Sequence, residues 1–228
     1  MSRIKRIYLE EGIFHILTRG NNKQWVFKDK SDFKYYLDIL KQLKKDQPFL
    51  LYHYILMNNH VHLLIETNQK TELSKLMKRI NLLYYNHYKR KYNYAGHFWQ
   101  DRFKSILVSK DEYLLACGLY IERNPIRAGL VKKVKDYPYS SFKYYAYGDS
   151  DGLIDRDPFH DNLGKNNGER QKEYQRLILQ QDNRINNHAL NNFFLGNKKF
   201  ITEMERKFEV CNLRHRRGRP RDVDKNKK

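Results

Sequence analysis

Cysteine is nearly absent from this chain: its 228 residues include only Cys117 and Cys211, far apart and without a Cys-x-x-Cys pair. That excludes a disulfide framework and a cysteine-rich zinc module. Any metal would have to be held by histidine, carboxylate or amide groups. Long apolar runs are missing too. No stretch approaches the roughly 18 apolar residues of a spanning helix, and Met1 to Arg6 lacks the apolar core of a signal peptide. Acidic residues are outnumbered, 26 Asp and Glu against 45 Lys and Arg, for a formal net charge of +19. An excess of this size attracts polyanions. The expectation is a soluble, cytoplasmic nucleic-acid binder with no membrane partner. There is no Gly-rich phosphate loop, no Gly-x-Ser-x-Gly and no His-Glu-x-x-His.

What is present centres on Met57 to Glu66. Side chains on a strand alternate between faces, so His60 and His62 point the same way and can share one divalent metal. Asn58-Asn59 suits a two-residue hairpin turn, because Asn tolerates positive φ. Phe49 to Met57 reads as the partner strand, with Met57 facing His60, Ile55 facing His62, and His53 further along the same side. On spacing alone, a wet polar sheet face explains the pair better than a metal site.

Around the hairpin, Ile13 to Thr18 reads as a first strand. It leads into the loop Arg19-Gly20-Asn21-Asn22-Lys23, which can offer N–H groups and cations to a phosphate. Ser31 to Asp46 has helical spacing, with Ser31 as N-cap. So does Thr71 to Tyr92, whose basic residues fall largely outside its apolar stripe. Arg102 to Val108 alternates as a strand. Ser109-Lys110-Asp111-Glu112 has the form of a capping box, and the helix it starts should end before Pro125. Asn124-Pro125 reads as the N-cap and first position of a short helix.

The order is strand, helix, strand, strand, helix, strand, helix. It suits an α+β, ferredoxin-like two-layer sandwich built on an antiparallel sheet, with the hairpin central. This domain spans residues 1–135. A helical C-terminal extension follows over 136–213, including helices at Glu169 to Gln181 and Lys198 to Phe208. Residues 214–228 form a basic tail with eight Lys or Arg against two Asp, expected to be disordered when free. In it, Arg217-Gly218-Arg219-Pro220 has the form of a minor-groove hook.

Tyr120 and Asn124 lie four apart, on one helical face. There a phenol can attack phosphorus while an amide oxygen ligates the same metal as the histidines. Taken alone, this is one arrangement among many for a chain with 18 tyrosines. Tyr120 reads equally as a core aromatic, and Asn124 as a helix cap.

His60-Val61-His62 resembles the His-hydrophobic-His motif of the HUH endonucleases. Tyr120-Ile121-Glu122-Arg123-Asn124-Pro125-Ile126-Arg127-Ala128-Gly129-Leu130-Val131 resembles the nucleophile segment of their single-tyrosine transposase branch. Arg19-Gly20-Asn21-Asn22, Gly96-His97-Phe98-Trp99-Gln100-Asp101-Arg102-Phe103 and Tyr137-Pro138-Tyr139-Ser140-Ser141 are similar to that branch as well. Order and spacing resemble the REP-associated tyrosine transposases, from about Ile7 to Ser141.

The resemblance implies a metal-dependent single-stranded DNA nuclease and strand-joining enzyme. It would act next to hairpins through a 5′-phosphotyrosine intermediate, as monomer or homodimer. It implies Tyr120 as nucleophile and Mg²⁺ or Mn²⁺ held by His60 and His62. Asn124 would be the third ligand, with Glu122 as its substitute. Arg19, Asn21, Asn22, Arg102 and Lys104 are candidate DNA contacts from charge and position. The alternative is a non-catalytic hairpin-binding or regulatory protein derived from such an enzyme.

Overall fold

The structure, a computed structural model, describes residue 7 and residues 9–150, 152–180, 185 and 187–213. Arg217, Gly218, Arg219 and Pro220 therefore lie outside the described residues. The elements run β1 (Gly12–Arg19), α1 (Lys30–Asp46), β2 (Leu50–Met57), β3 (His60–Thr67), α2 (Leu73–Tyr92), β4 (Lys104–Val108), α3 (Glu112–Glu122) and α4 (Asn124–Arg127). The extension adds α5 (Phe142–Tyr147), α6 (Asn167–Leu179), β5 (Phe194–Leu195) and α7 (Lys198–Phe208).

The strands form one sheet in the order β2-β3-β1-β4-β5, antiparallel except for the β4–β5 pair. The hairpin is thus not central: β1 is, and β2 is the edge strand. Its free edge is covered by the chain after α4, where Leu56 N–H donates to the Tyr139 carbonyl and Ser141 N–H to the Tyr54 carbonyl. This answers the hazard of an open edge. β5 was not legible as a strand, because two residues are too few to show alternation.

Alternation in the strands sorts two cores. Phe14, Ile16, Val61, Leu63, Ile65 and Leu107 meet α1 and α2 through Tyr36, Leu40, Leu76, Ile80 and Tyr84. This is the expected sandwich. On the opposite face, Ile13, Ile55, Met57, Leu64, Ile106 and Val108 meet Leu114, Cys117, Tyr120 and Ile121 of α3. That helix makes a third layer over the face that carries both histidines. Each apolar side chain buried this way contributes about 1.5–3 kcal/mol.

Several local expectations are corrected. α1 is capped by Asp29, whose carboxylate accepts from the Ser31 and Asp32 N–H groups, and Asp32 completes the capping box. Ser31 lies inside the helix. α3 is capped by Asp111, which accepts from the Tyr113 N–H, while Ser109 donates its hydroxyl proton to Asp111 at 2.6 Å. A carboxylate wins both positions because it accepts from an amide more strongly than a hydroxyl does. The hairpin turn falls at Asn58-Asn59, yet neither residue takes a positive φ. Three N–H groups hold its carbonyls instead: Gly20 donates to Asn59, and Val26 and Phe27 donate to Asn58. Among the described residues no helix is long and apolar enough to cross a membrane.

Candidate functional site

The register of β3 places the two histidines. His62 lies opposite Leu17 on β1 and Ile55 on β2, and His60 lies opposite Arg19 and Met57. The two imidazoles share the sheet face on which Ile55 and Met57 pack against α3, with ring centroids 5.1 Å apart. His62 is buried and His60 half-buried at the rim.

Their protonation follows from their partners. The Asn59 amide donates its Nδ2 to the Lys23 carbonyl, which fixes the amide so that Oδ1 meets His60 Nδ1 at 2.6 Å. An amide oxygen only accepts, so His60 carries its proton on Nδ1 and its lone pair on Nε2. His62 Nδ1 lies 2.8 Å from His15 Nε2, and the two rings are stacked with centroids 5.0 Å apart. Of the two directions this bond can take, the one in which His62 Nδ1–H donates to His15 Nε2 is the one that leaves the His62 Nε2 lone pair for a metal. Burial, and then the Arg19 cation, lower the His60 pKa to about 4. Burial first, then mutual repulsion with His15 and His60, holds His62 well below its ordinary value. Burial alone lowers His15 to about 3. At neutral pH the site therefore holds three uncharged imidazoles.

α3 brings Tyr120 into the same cluster. Its ring sits edge-on to His15 at 6.3 Å and is 3% exposed. Burial raises its pKa, with the Arg127 cation opposing. The Arg127 guanidinium lies 4.0 Å over the Tyr120 ring and donates to the Tyr120 carbonyl at 3.0 Å. Sequence reasoning missed His15 and Arg127. A histidine inside the apolar run Phe14-His15-Ile16 was the signal for the first; the second was one basic residue among 45.

Asn124 is not a cap. It lies in the first turn of α4, with Arg123 at the cap position. Its amide donates back to the Tyr120 and Ile121 carbonyls at 3.2 and 2.8 Å. Only Oδ1 of that amide is left as a ligand. Glu122 is engaged away from the His60–His62 pair. Its carboxylate, fully buried, accepts from His53 Nδ1 at 3.0 Å, Ser141 Oγ at 2.5 Å and Tyr174 Oη at 2.7 Å. Among the described residues no three His, Cys, Asp or Glu side chains are arranged to hold a metal ion by themselves. The imidazole pair still fits a divalent cation, offering two neutral lone-pair nitrogens on adjacent pleats. Amide, water or phosphate oxygens would have to complete the shell.

His53, on the same sheet face, is of another kind. Burial alone would lower its pKa, but hydrogen bonds to Asp157 and Glu122 outweigh it and raise it to about 9. A folded pKa above the ordinary 6.5 means that the stability this proton supplies is complete below that pH and lost as pH rises through about 9. The thermal midpoint should fall between pH 7 and pH 10, and His53→Gln should flatten that slope. A midpoint in the wild type that holds level to pH 9.5 would contradict the assignment.

Arg19, Arg102 and Lys104 line one depression of about 170 Å³ together with Leu17, Gln100 and Asp101. The structure thus gathers three of the candidate DNA contacts in one place, with Arg19 opposite His60 in the strand register. Asn21 and Asn22 form the turn above it, Asn22 at φ 49°, and the Asn21 N–H donates to the Phe98 carbonyl.

Residues 9–124, just over half of the chain, match the sequence profile of the family described as "Transposase IS200 like". A curated protein of Haemophilus influenzae, provisionally named a REP-associated tyrosine transposase, is 28% identical over 156 residues. The alignment covers 62% of this chain and 86% of that protein. A solved structure of a REP-associated tyrosine transposase bound to a REP hairpin superposes with a TM-score of 0.56 at 20% identity, over 68% of this chain and 94% of that one. That likeness concerns the fold.

Proposed function

Because the chain belongs to the IS200-like transposase family, we propose that it is a REP-associated tyrosine transposase, cutting and joining single-stranded DNA next to hairpins. One observation carries this reading. The His15 ring contacts both His62 and Tyr120, so a phenol from α3 and an imidazole pair from β3 share one buried cluster.

Tyr120 Oη attacks a DNA phosphodiester. The bond from phosphorus to the 3′ oxygen breaks, the strand end leaves as a 3′-OH, and the 5′-phosphate stays on the tyrosine. Because the new ester keeps the bond energy of the old one, a second 3′-OH can reverse the step and join strands without ATP. His60 and His62 would hold Mg²⁺ or Mn²⁺, with Asn124 Oδ1 as the candidate third ligand. When bound, the ion supplies charge neutralisation at the scissile phosphate. Arg127, exposed on its outer side, is placed to pair with the incoming phosphate, and in doing so it would uncover the phenol. Arg19, Arg102 and Lys104 hold the flanking backbone.

His15 acts through His62. A ligating histidine whose second nitrogen is held keeps its orientation, and loss of such a partner costs about 10–100-fold in metal affinity. His15→Ala should weaken the Mn²⁺ dependence of cleavage by that factor while hairpin binding persists. Unchanged Mn²⁺ dependence would remove His15 from the site. Arg127→Ala should slow adduct formation by about tenfold or more, the effect of losing one charged contact at a phosphate. A wild-type rate would leave Arg127 as packing only.

A second reading, a non-catalytic hairpin binder, draws on the burial of Tyr120. Incubating hairpin-flanked single strands with protein, Mn²⁺ and a second oligonucleotide with a free 3′-OH separates the two. The enzyme yields joined strands without ATP. The binder shifts the hairpin in a gel and leaves every strand intact.

A further inference from the structure

Beneath the edge strand lies a fully buried polar cluster that the cleavage chemistry does not use. His53 Nδ1 donates to Glu122 at 3.0 Å and Nε2 to Asp157 at 3.2 Å, with all three side chains sealed from solvent. Tyr145 stacks on the His53 ring at 4.4 Å, and Tyr174 stacks on Tyr145 at 5.1 Å. Asp157, Tyr145 and Tyr174 all belong to the extension, beyond the segment that matches the transposase family. Glu122 is the last residue of α3, and it also accepts from Tyr174 Oη at 2.7 Å.

Gly118 shows how closely α3 is seated. A Cβ there would fall 2.4 Å from His53 Nε2, so only glycine lets the helix approach the imidazole. Gly118 and Glu122 are four residues apart, on one helical face, and Tyr120 lies midway between them. At about 100° per residue, Tyr120 points about 200° away from either, toward His15. Any rotation of α3 that loosens Glu122 swings Tyr120 by the same angle.

We propose that this cluster is a positioning clasp, in which Asp157 and Tyr174 of the extension act through His53 and Glu122 to fix the rotation of α3 and so the place of Tyr120. The inference rests on Tyr120 being the nucleophile. It makes the extension part of the cutting machinery although none of its clasp residues touches DNA. A misplacement of about 1 Å can cost about 100-fold in rate, so the clasp has leverage without contact.

Tyr174→Phe removes one O–H donor and keeps the ring, and Glu122→Gln keeps the shape while removing the charge. Three quantities are measured in the full chain: the single-turnover rate of covalent adduct formation, the Kd for hairpin-flanked single-stranded DNA, and amide hydrogen exchange by mass spectrometry. Both variants should form adduct about tenfold or more slowly, with Kd within about twofold of wild type. Exchange should quicken over Ala116 to Ile121 and stay unchanged in α1 and α2. Wild-type adduct rates in either folded variant would overturn the clasp. So would Kd and rate falling together in step with the folded fraction, the mark of a merely structural cluster. Should wild type form no adduct, the nucleophile reading fails by itself. The exchange data then still decide whether the clasp holds α3: unaltered protection of its amides sinks it.

Discussion

Tyr120→Phe is expected to abolish covalent adduct formation, by about 1,000-fold or more, while leaving hairpin binding and folding nearly intact. The substitution removes one oxygen. The ring keeps its packing in the core beneath α3, its edge contact with His15 and its place under the Arg127 guanidinium. A change confined to one atom of a buried ring should cost about 1 kcal/mol of stability or less. Binding and chemistry therefore separate: the gel shift persists and the SDS-resistant species disappears. Tyr113→Phe is the control, since Tyr113 lies in the first turn of the same helix and packs at the margin of that core. If Tyr113→Phe abolished the adduct and Tyr120→Phe did not, the nucleophile would be misassigned.

The second large effect belongs to the imidazole pair, and the two histidines should fail differently. His60 is half-buried at the rim, and its Nδ1 is held by the Asn59 side chain. His60→Ala should remove metal-dependent cleavage, by about 100-fold or more if the ion neutralises the scissile phosphate, at little cost in stability. His62 is 2% exposed and hydrogen-bonded to His15. His62→Ala empties a core position and strands the His15 ring, which should cost about 1–3 kcal/mol in addition to activity. Mn²⁺ titrations of cleavage and thermal melts of both variants check the pair together. Cleavage that survives in His60→Ala with unchanged Mn²⁺ dependence would remove the metal from this site.

Alternation made the fold legible. It sorted His60, His62 and Ile55 onto one face, and the register bears out Ile55 opposite His62 and Met57 opposite His60. Helical spacing in α2 picked out Leu73, Leu76, Met77 and Ile80, all buried. Caps were less legible, because Ser and Asp compete at Asp29 and Asp111 and the winner depends on which side chain reaches the free N–H groups. The hairpin turn was placed by its asparagines but not its backbone conformation, since tertiary hydrogen bonds from Gly20, Val26 and Phe27 decide it. Strand order was partly hidden. Nothing in Phe194-Leu195 announces a parallel partner for β4, and nothing in residues 48–67 says that β2 lies at the edge. Within the candidate site, the residues that the structure draws together and the sequence had already named are those carried by short motifs. His15 and Arg127 are not among them, because their roles arise from contacts across the fold, His15 through 47 positions to His62. The cluster joining Glu122 to Asp157 and Tyr174 spans segments whose sequence periodicity carries no mark of their meeting.

Everything proposed for this chain turns on Tyr120 becoming covalently joined to DNA beside the histidine pair. Its most direct measurement uses hairpin-flanked single strands labelled separately at the 5′ and 3′ ends, incubated with protein and Mn²⁺, denatured in SDS and mapped by peptide mass spectrometry. The expected adduct carries the 3′ label only, on the peptide containing Tyr120, together with a released strand ending in 3′-OH. An adduct on any other tyrosine, an adduct carrying the 5′ label, or no adduct with any hairpin substrate would contradict it.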